Sequence, residues 1–244
     1  MYNEAANVAR TLARVREALA ESGLDWELIL VDDGSTDGSR AAAEEAAGDE
    51  PRIRVLGHTP NAGRGRALRE GITASRGEVV VTGDFDLSYD PGHHLRLREA
   101  LIADPELHLV LGSVYMPGGR IEGVPRGRVL VSRLGNALLR QAFGRRFHTL
   151  TCVLRAYRGE TVRRMRFEAD RKEFHLESLT WFTDLGLGVA EIPATLVWPG
   201  GERRSTLRLP KSVPSHLGYV LSEAPTGFLL RRRRRKARAR AFTA

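Results

Sequence analysis

The feature that most constrains the fold is an alternation. Short apolar or β-branched runs at Trp26 to Val31, Ile53 to Leu56 and Val79 to Thr82 are separated by segments with helical composition, Ser39 to Ala47 and roughly Arg64 to Ser75. Ahead of them, from Glu4 to Ser22, Val8, Leu12, Val15 and Leu19 recur at spacings of three and four, as an amphipathic helix requires, with Asn3 as the expected cap. Strands alternating with helices give the α/β class: a mostly parallel sheet with flanking helices, where ligands gather outside the carboxyl ends of the strands. Asp32, Asp33, Asn61, Asp84 and Asp86 all fall at or just past expected strand ends, on that rim. A doubly wound sheet ordinarily begins with a strand that delivers its loop to the rim. This chain begins with a loop and a helix at MYNE, so the expectation is a first strand missing at the N-terminus.

The third run continues as VVVTGDFDLSYDP, Val79 to Pro91. In extended backbone residues i and i+2 share a face, so Asp84 and Asp86 present two carboxylates side by side. They repel unless a hard divalent cation sits between or beside them, and Mg²⁺ or Mn²⁺ takes one or two carboxylates together with substrate phosphates. The competing reading is a polar turn after a strand. The same choice arises at DDGSTDGS, 32 to 39, where Asp32 and Asp33 either read ribose hydroxyls or a base edge, or simply build an Asx-rich turn.

Charge excludes one class of partner. Of 38 basic residues, eight lie in RRRRRKARAR, 231 to 240, which leaves 30 basic against 30 acidic residues elsewhere. The body is neutral, so nucleic acid is not the expected partner. We read residues 1–225 as the folded domain and 226–244 as a basic tail, disordered or drawn to anionic lipid, with Phe228, Leu229 and Leu230 able to dip into a membrane surface. The single cysteine, Cys152, gives no intramolecular disulfide. With no signal peptide and no run of 18 to 20 apolar residues, the expected location is cytoplasmic, peripheral to the inner face of the membrane.

Several motifs then line up in order: Y-N-E at 2 to 4, ELILVDDGSTDGS at 27 to 39, N-A-G-R-G-x-A at 61 to 67, GEVVVTGDFDLS at 77 to 88, L-G-S-x-Y at 111 to 115 and R-A-Y at 155 to 157. Together they resemble inverting family 2 glycosyltransferases, closest to the dolichol-phosphate mannosyltransferase and polyprenyl-phosphate glycosyltransferase group. The resemblance implies a GT-A fold, a nucleotide-diphosphate-sugar donor of the GDP-mannose or UDP-glucose type, a polyprenyl-phosphate acceptor and Mg²⁺ or Mn²⁺. By it, Asp86 is the expected direct metal ligand and Asp84 its neighbour. Tyr2 and Glu4 flank the base, Asp32, Asp33, Asn61, Gly63 and Asp84 complete the donor site, and Arg128 and Ser132, one helical turn apart, contact the acceptor phosphate. F-H-L-E brings Glu177 to the cleft. Such an acceptor also removes the need for a general base, because a phosphate monoester with a second pKa of about 6 is already anionic near neutral pH.

The sequence departs from the group at several points. Ser88 stands where a glutamine is common, Val114 replaces an arginine, and His148 replaces an aspartate. WPGGERRSTLR replaces the usual closing segment, with Arg203, Arg204 and Ser205 available in its place. These changes keep open two alternatives, transfer to a soluble hydroxyl acceptor and a catalytically weak nucleotide-sugar-binding protein. A haloacid-dehalogenase-like phosphatase is disfavoured because no G-D-x-x-x-D pattern follows Lys172 or Lys211, and a dinucleotide oxidoreductase because no third glycine follows Gly63 and Gly65 in register. The histidines have no metal-ligand spacing, and Trp181 and Trp198 read as packing residues.

Overall fold

The computed structural model describes residues 1–142, 146–198, 238, 239 and 242. A 3-10 turn at Ala5–Asn7 leads into α1 (Val8–Glu21), followed by β1 (Leu28–Asp33), α2 (Ser39–Ala47), β2 (Ile53–His58), α3 (Arg64–Ala74) and β3 (Val79–Thr82). The second half runs α4 (Gly92–Ala103), β4 (Leu107–Ser113), β5 (Arg120–Glu122), α5 (Arg126–Ala142), β6 (Arg155–Arg158), α6 (Gly159–Arg163), α7 (Phe174–Leu185), β7 (Gly188–Pro193) and β8 (Thr195–Val197).

Every strand read from the alternation is present. Asn3 is not the helix cap: it sits at φ 54°, a conformation Asn tolerates, and its Oδ1 accepts a bond from the Thr36 N–H at 2.9 Å instead. The chain needs that side chain to tie two loops together, and α1 starts five residues later.

Strands β1 and β2 pair in parallel, as do β4 with β7 and β5 with β8, while β6 runs antiparallel between β3 and β4. The expected single sheet is thus three ladders, ordered β1-β2, β3-β6-β4-β7 and β5-β8. Beside the tip of β1, the Met1 ammonium donates to the Val31 carbonyl at 2.7 Å and the Asp33 N–H donates to the Met1 carbonyl at 2.9 Å. The first residue thereby extends the hydrogen bonding on the side of β1 away from β2.

Pleating sorts the core. Leu109 and Leu111 of β4 and Tyr157 of β6 face α7 through Phe174, Leu179 and Phe182, whereas Val110 and Ala156 face Leu97 and Leu101 of α4. Val8 and Leu12 of α1 meet Ala43 and Ala47 of α2 over Leu30 and Ile53. Burying these side chains stabilises each layer by about 1.5–3 kcal/mol per large aliphatic residue. Strand tips are thereby fixed, and the polar residues beyond them inherit that rigidity.

Candidate active site

Asp33, the last residue of β1, is only 6 % exposed and spends its carboxylate inside the protein. Oδ1 accepts the N–H groups of Ala62 and Gly63 at 2.9 and 2.8 Å, Oδ2 accepts Asn61 Nδ2 at 2.9 Å, and His58 Nε2 lies 2.9 Å from Oδ1. Gly63 has φ +113°, and a Cβ there would stand 2.5 Å from the Asp170 carbonyl, so only glycine permits this close approach. Asp33, Asn61 and Gly63 therefore set the loop that opens α3. Asp32, equally buried, accepts the Ser35 N–H at 3.2 Å and the Ser35 hydroxyl at 2.5 Å.

The first residues are laced onto the same rim. The Asn3 N–H donates to Ser35 Oγ at 2.9 Å and the Glu4 N–H to Ser39 Oγ at 2.7 Å. This leaves Tyr2 exposed and Glu4 partly buried, beside the loop that follows β1.

Asp84 and Asp86 occupy the turn after β3. Ser88 donates to Asp86 Oδ1 from its N–H at 3.0 Å and its hydroxyl at 2.5 Å, so it orients that carboxylate. Between them Leu87 takes φ 56°, a left-handed conformation that costs a bulky residue about 1–2 kcal/mol and that the Ser88 bonds hold in place. Arg64, the first residue of α3, places Nη2 3.3 Å from Asp84 Oδ1. Burial raises the Asp84 pKa above the usual carboxylate value; Arg64 pulls it down, Asp86 pushes it up, and the balance is upward. Two partly buried carboxylates, one of them opposed in its ionisation by the other, suit a divalent cation. No cluster of three possible protein ligands occurs among the described residues, so the rest of the coordination would fall to diphosphate oxygens and water.

Two cations here escaped sequence reasoning. Arg64 lies inside the N-A-G-R-G motif, and its position at a helix start, where free N–H groups attract anions, was the available signal. Lys172 has its pKa lowered by burial and next by the charge of Arg64, so the two cations are neighbours. Glu177, expected at the cleft, is instead a buried brace: its oxygens accept the N–H groups of Glu168 and Ala169 at 2.9 and 3.0 Å, and burial raises its pKa despite those bonds. It stiffens the loop whose Asp170 carbonyl accepts the Arg66 N–H at 3.0 Å.

The segment from Phe147 to Leu154 links this rim to α5. Thr82 Oγ1 donates to the Val153 carbonyl at 2.6 Å, and the Tyr115 N–H donates to Thr149 Oγ1 at 3.4 Å. The Tyr115 hydroxyl donates to Ser132 Oγ at 2.7 Å. Arg128 sits one turn before Ser132 on α5 with its guanidinium 5.2 Å from the centre of the Trp198 ring, so Trp198 supports a candidate site residue rather than merely packing. Nη1 of Arg128 is buried without a hydrogen-bond partner among the described residues. His148 is held by Glu191, with Nδ1 2.9 Å from Oε2, and the same carboxylate accepts the N–H groups of His148 and Thr149 at 2.8 Å each. Val114 is buried among apolar neighbours. Arg155 is fully buried and donates to the carbonyls of Leu150, Cys152 and His175 and to Ser178 Oγ, which makes it a brace under the rim. Arg203, Arg204, Ser205 and the Phe228–Leu230 cluster lie outside the described residues.

The family model described as Glycosyl transferase family 2 matches residues 1–166. The chain belongs to that family. Glycosyl transferase family 2 relatives include a polyprenol monophosphomannose synthase of Mycolicibacterium smegmatis, 35 % identical over 80 % of this chain and 74 % of the relative. An undecaprenyl-phosphate mannosyltransferase of Micrococcus luteus is 34 % identical over 80 % of each chain. Among solved structures, glucosyl-3-phosphoglycerate synthase from Mycobacterium tuberculosis, in complex with Mn²⁺, uridine diphosphate and phosphoglyceric acid, superposes with a TM-score of 0.69 at 21 % identity, covering 93 % of this chain and 77 % of that one. The fold is GT-A, as the motif order implied, and the protein is a glycosyltransferase.

Proposed function

We propose that this glycosyltransferase moves a sugar, with inversion, from a nucleotide-diphosphate sugar to a polyprenyl phosphate at a membrane surface, with Mg²⁺ or Mn²⁺ held by Asp84 and Asp86. The observation that carries the reading is structural: the aspartate pair after β3 and the helix bearing Arg128 and Ser132 are joined through one hydrogen-bonded segment, 147 to 154. The names of the two relatives favour the lipid-phosphate acceptor.

Tyr2, Glu4 and Asp32 receive the nucleoside, and Asp33, Asn61 and Gly63 hold their loop in place. Arg64 and Lys172 face the negative charge of the diphosphate. When bound, the cation acts as a Lewis acid on the departing nucleoside diphosphate. Arg128 and Ser132 position the acceptor phosphate, which attacks as an anion without a base. Incubation with polyprenyl phosphate, either metal and a panel of labelled nucleotide sugars should yield a lipid-linked sugar from at least one donor; no product from any donor removes the claim.

One observation favours a second reading, transfer to a soluble hydroxyl acceptor. A histidine oriented through Nδ1 by a buried carboxylate, as His148 is by Glu191, is an arrangement suited to a general base. Product formation on a soluble phosphorylated alcohol, abolished by His148→Gln, would decide for it.

A further inference from the structure

Near its C-terminus the chain returns to the body of the fold. Arg238 and Phe242 have helical backbone and stand four residues apart, so their side chains share a face. Arg238 Nη1 lies 2.6 Å from Asp184 Oδ2 on α7, with the two side chains only 14 and 11 % exposed, and its guanidinium is 5.6 Å from the centre of the Trp181 ring. Phe242 packs on the core that holds Met165, Phe167 and Trp181. The Arg164 guanidinium is 4.5 Å from the centre of the Phe242 ring, and its Nη2 donates to the Phe242 carbonyl at 2.6 Å. Arg164 directly follows α6 and Asp184 lies in the last turn of α7, so Arg238 and Phe242 bridge the two elements between which residues 164 to 173 run.

That segment in turn holds the loop that opens α3. The Phe167 ring meets Trp181 edge-on at 6.4 Å, and the Phe167 carbonyl accepts Arg69 Nη1 at 2.9 Å. The Asp170 carbonyl accepts the Arg66 N–H at 3.0 Å and crowds Gly63, and Lys172 follows two residues later. The Arg238 charge also favours the ionised form of Glu177, the brace of Glu168 and Ala169, against the burial that opposes it. We propose that Arg238 and Phe242 are positioning residues for donor binding: they clamp 164 to 173 against α6 and α7, and thereby fix Lys172 and the opening turn of α3. This use of the clamp rests on the nucleotide-diphosphate-sugar reading, in which Arg64 and Lys172 face the diphosphate. A desolvated ion pair is a poor source of net stability, and its use here is to set register: of the eight cations in RRRRRKARAR, Arg238 is seated on Asp184, with Phe242 one turn later on the core.

The test uses the full chain with Arg238→Met, which keeps the length of the side chain and removes its charge, and separately with Phe242→Ala. Circular dichroism confirms that each variant is folded. If Arg238→Met alone does not fold, the double variant Asp184→Asn with Arg238→Met, which leaves no buried charge behind, is read in its place. Hydrogen exchange followed by mass spectrometry should be faster by about tenfold over 63 to 70 and 165 to 173 in the variants, with β4 and β6 unchanged. Equal exchange in wild type and variants overturns the clamp. Calorimetry with a nucleoside diphosphate and Mn²⁺ should show affinity weaker by about fivefold or more in the variants. Kinetics should show the donor KM raised by a similar factor, with kcat and the acceptor KM within about twofold of wild type, a split that a general loss of stability does not produce. Faster exchange with unchanged nucleotide affinity overturns the positioning role. Wild-type protein that binds no nucleoside diphosphate strikes the proposed donor chemistry and the positioning role with it, while hydrogen exchange still decides whether the clamp exists.

Discussion

The rim beyond β1 and β3 and helix α5 are built on opposite principles. At the rim the polar groups are heavily committed: Asp33 alone accepts from Asn61, Ala62 and Gly63 and meets His58, and Asn3 and Glu4 are tied to the 35–39 loop. On α5 the side chains that stand out are apolar and uncovered. The rim is fixed before any ligand arrives, which under the proposed function suits binding energy directed at a developing charge. Helix α5 leaves its largest favourable term, apolar burial, unspent in the folded chain.

The sharpest way to break that contrast is at the aspartate pair. Asp86→Ala should lower transfer by about 10³-fold and abolish metal-dependent nucleotide binding, because the charge that stabilises the leaving group loses its anchor. Titration calorimetry with a nucleoside diphosphate and Mn²⁺ checks it, and unchanged affinity counts against the metal role. Next comes the brace. Asp33→Ala strands the Ala62 and Gly63 N–H groups and should cost about 3 kcal/mol, seen as a melting temperature lower by roughly 5–10 °C.

On the other side, Arg128→Ala should raise the apparent KM for the lipid acceptor by about tenfold or more while leaving the melting temperature and donor binding in place. A loss of stability instead would make Arg128 part of the scaffold. A smaller effect is expected at His58. Burial opposes its charge, but bonds to Glu70 and Asp33 outweigh it and raise its pKa, with Glu70 also paired to Arg66. The charged clamp therefore contributes fully below the ordinary histidine value of about 6.5 and is lost as pH rises through the raised value. The melting-temperature advantage of wild type over His58→Gln should shrink as pH rises from the ordinary histidine value of about 6.5 through the raised one; an advantage that grows with pH refutes the clamp. Smallest of all, Leu138→Ser should change stability by no more than about 0.5 kcal/mol, against about 2–5 for Leu12→Ala in the core.

The legible parts of the sequence were those governed by local rules. Val8 and Leu12 announced the buried face of α1 and β-branched runs announced β1, β2 and β3, which set Asp84 and Asp86 just past a strand end; the extended i, i+2 arrangement expected for them did not hold, because β3 stops at Thr82 and the pair sits in a turn. Partners remote along the chain were not legible. Nothing local pairs Arg64 with Asp84, Glu177 with the Glu168 and Ala169 N–H groups, or Glu191 with His148. The basic tail shows the same limit. Read as a solvated or lipid-bound run, it nonetheless contains Arg238, whose Nη1 lies 2.6 Å from Asp184 Oδ2, and Phe242, which packs on the core.

By itself the sequence determined the order of strands and helices from α1 to β3, the rim on which the acids gather and the family to which the chain belongs, because backbone periodicity and turn chemistry act over a few residues. Only the tertiary structure decided what each face meets. Periodicity says that Leu130, Leu134 and Leu138 share a side of α5, but the same pattern describes a stripe driven into a core and one held out to solvent. The choice is made by the elements that pack on the helix, and here they cover Asn136 and Leu139 and leave the leucines bare.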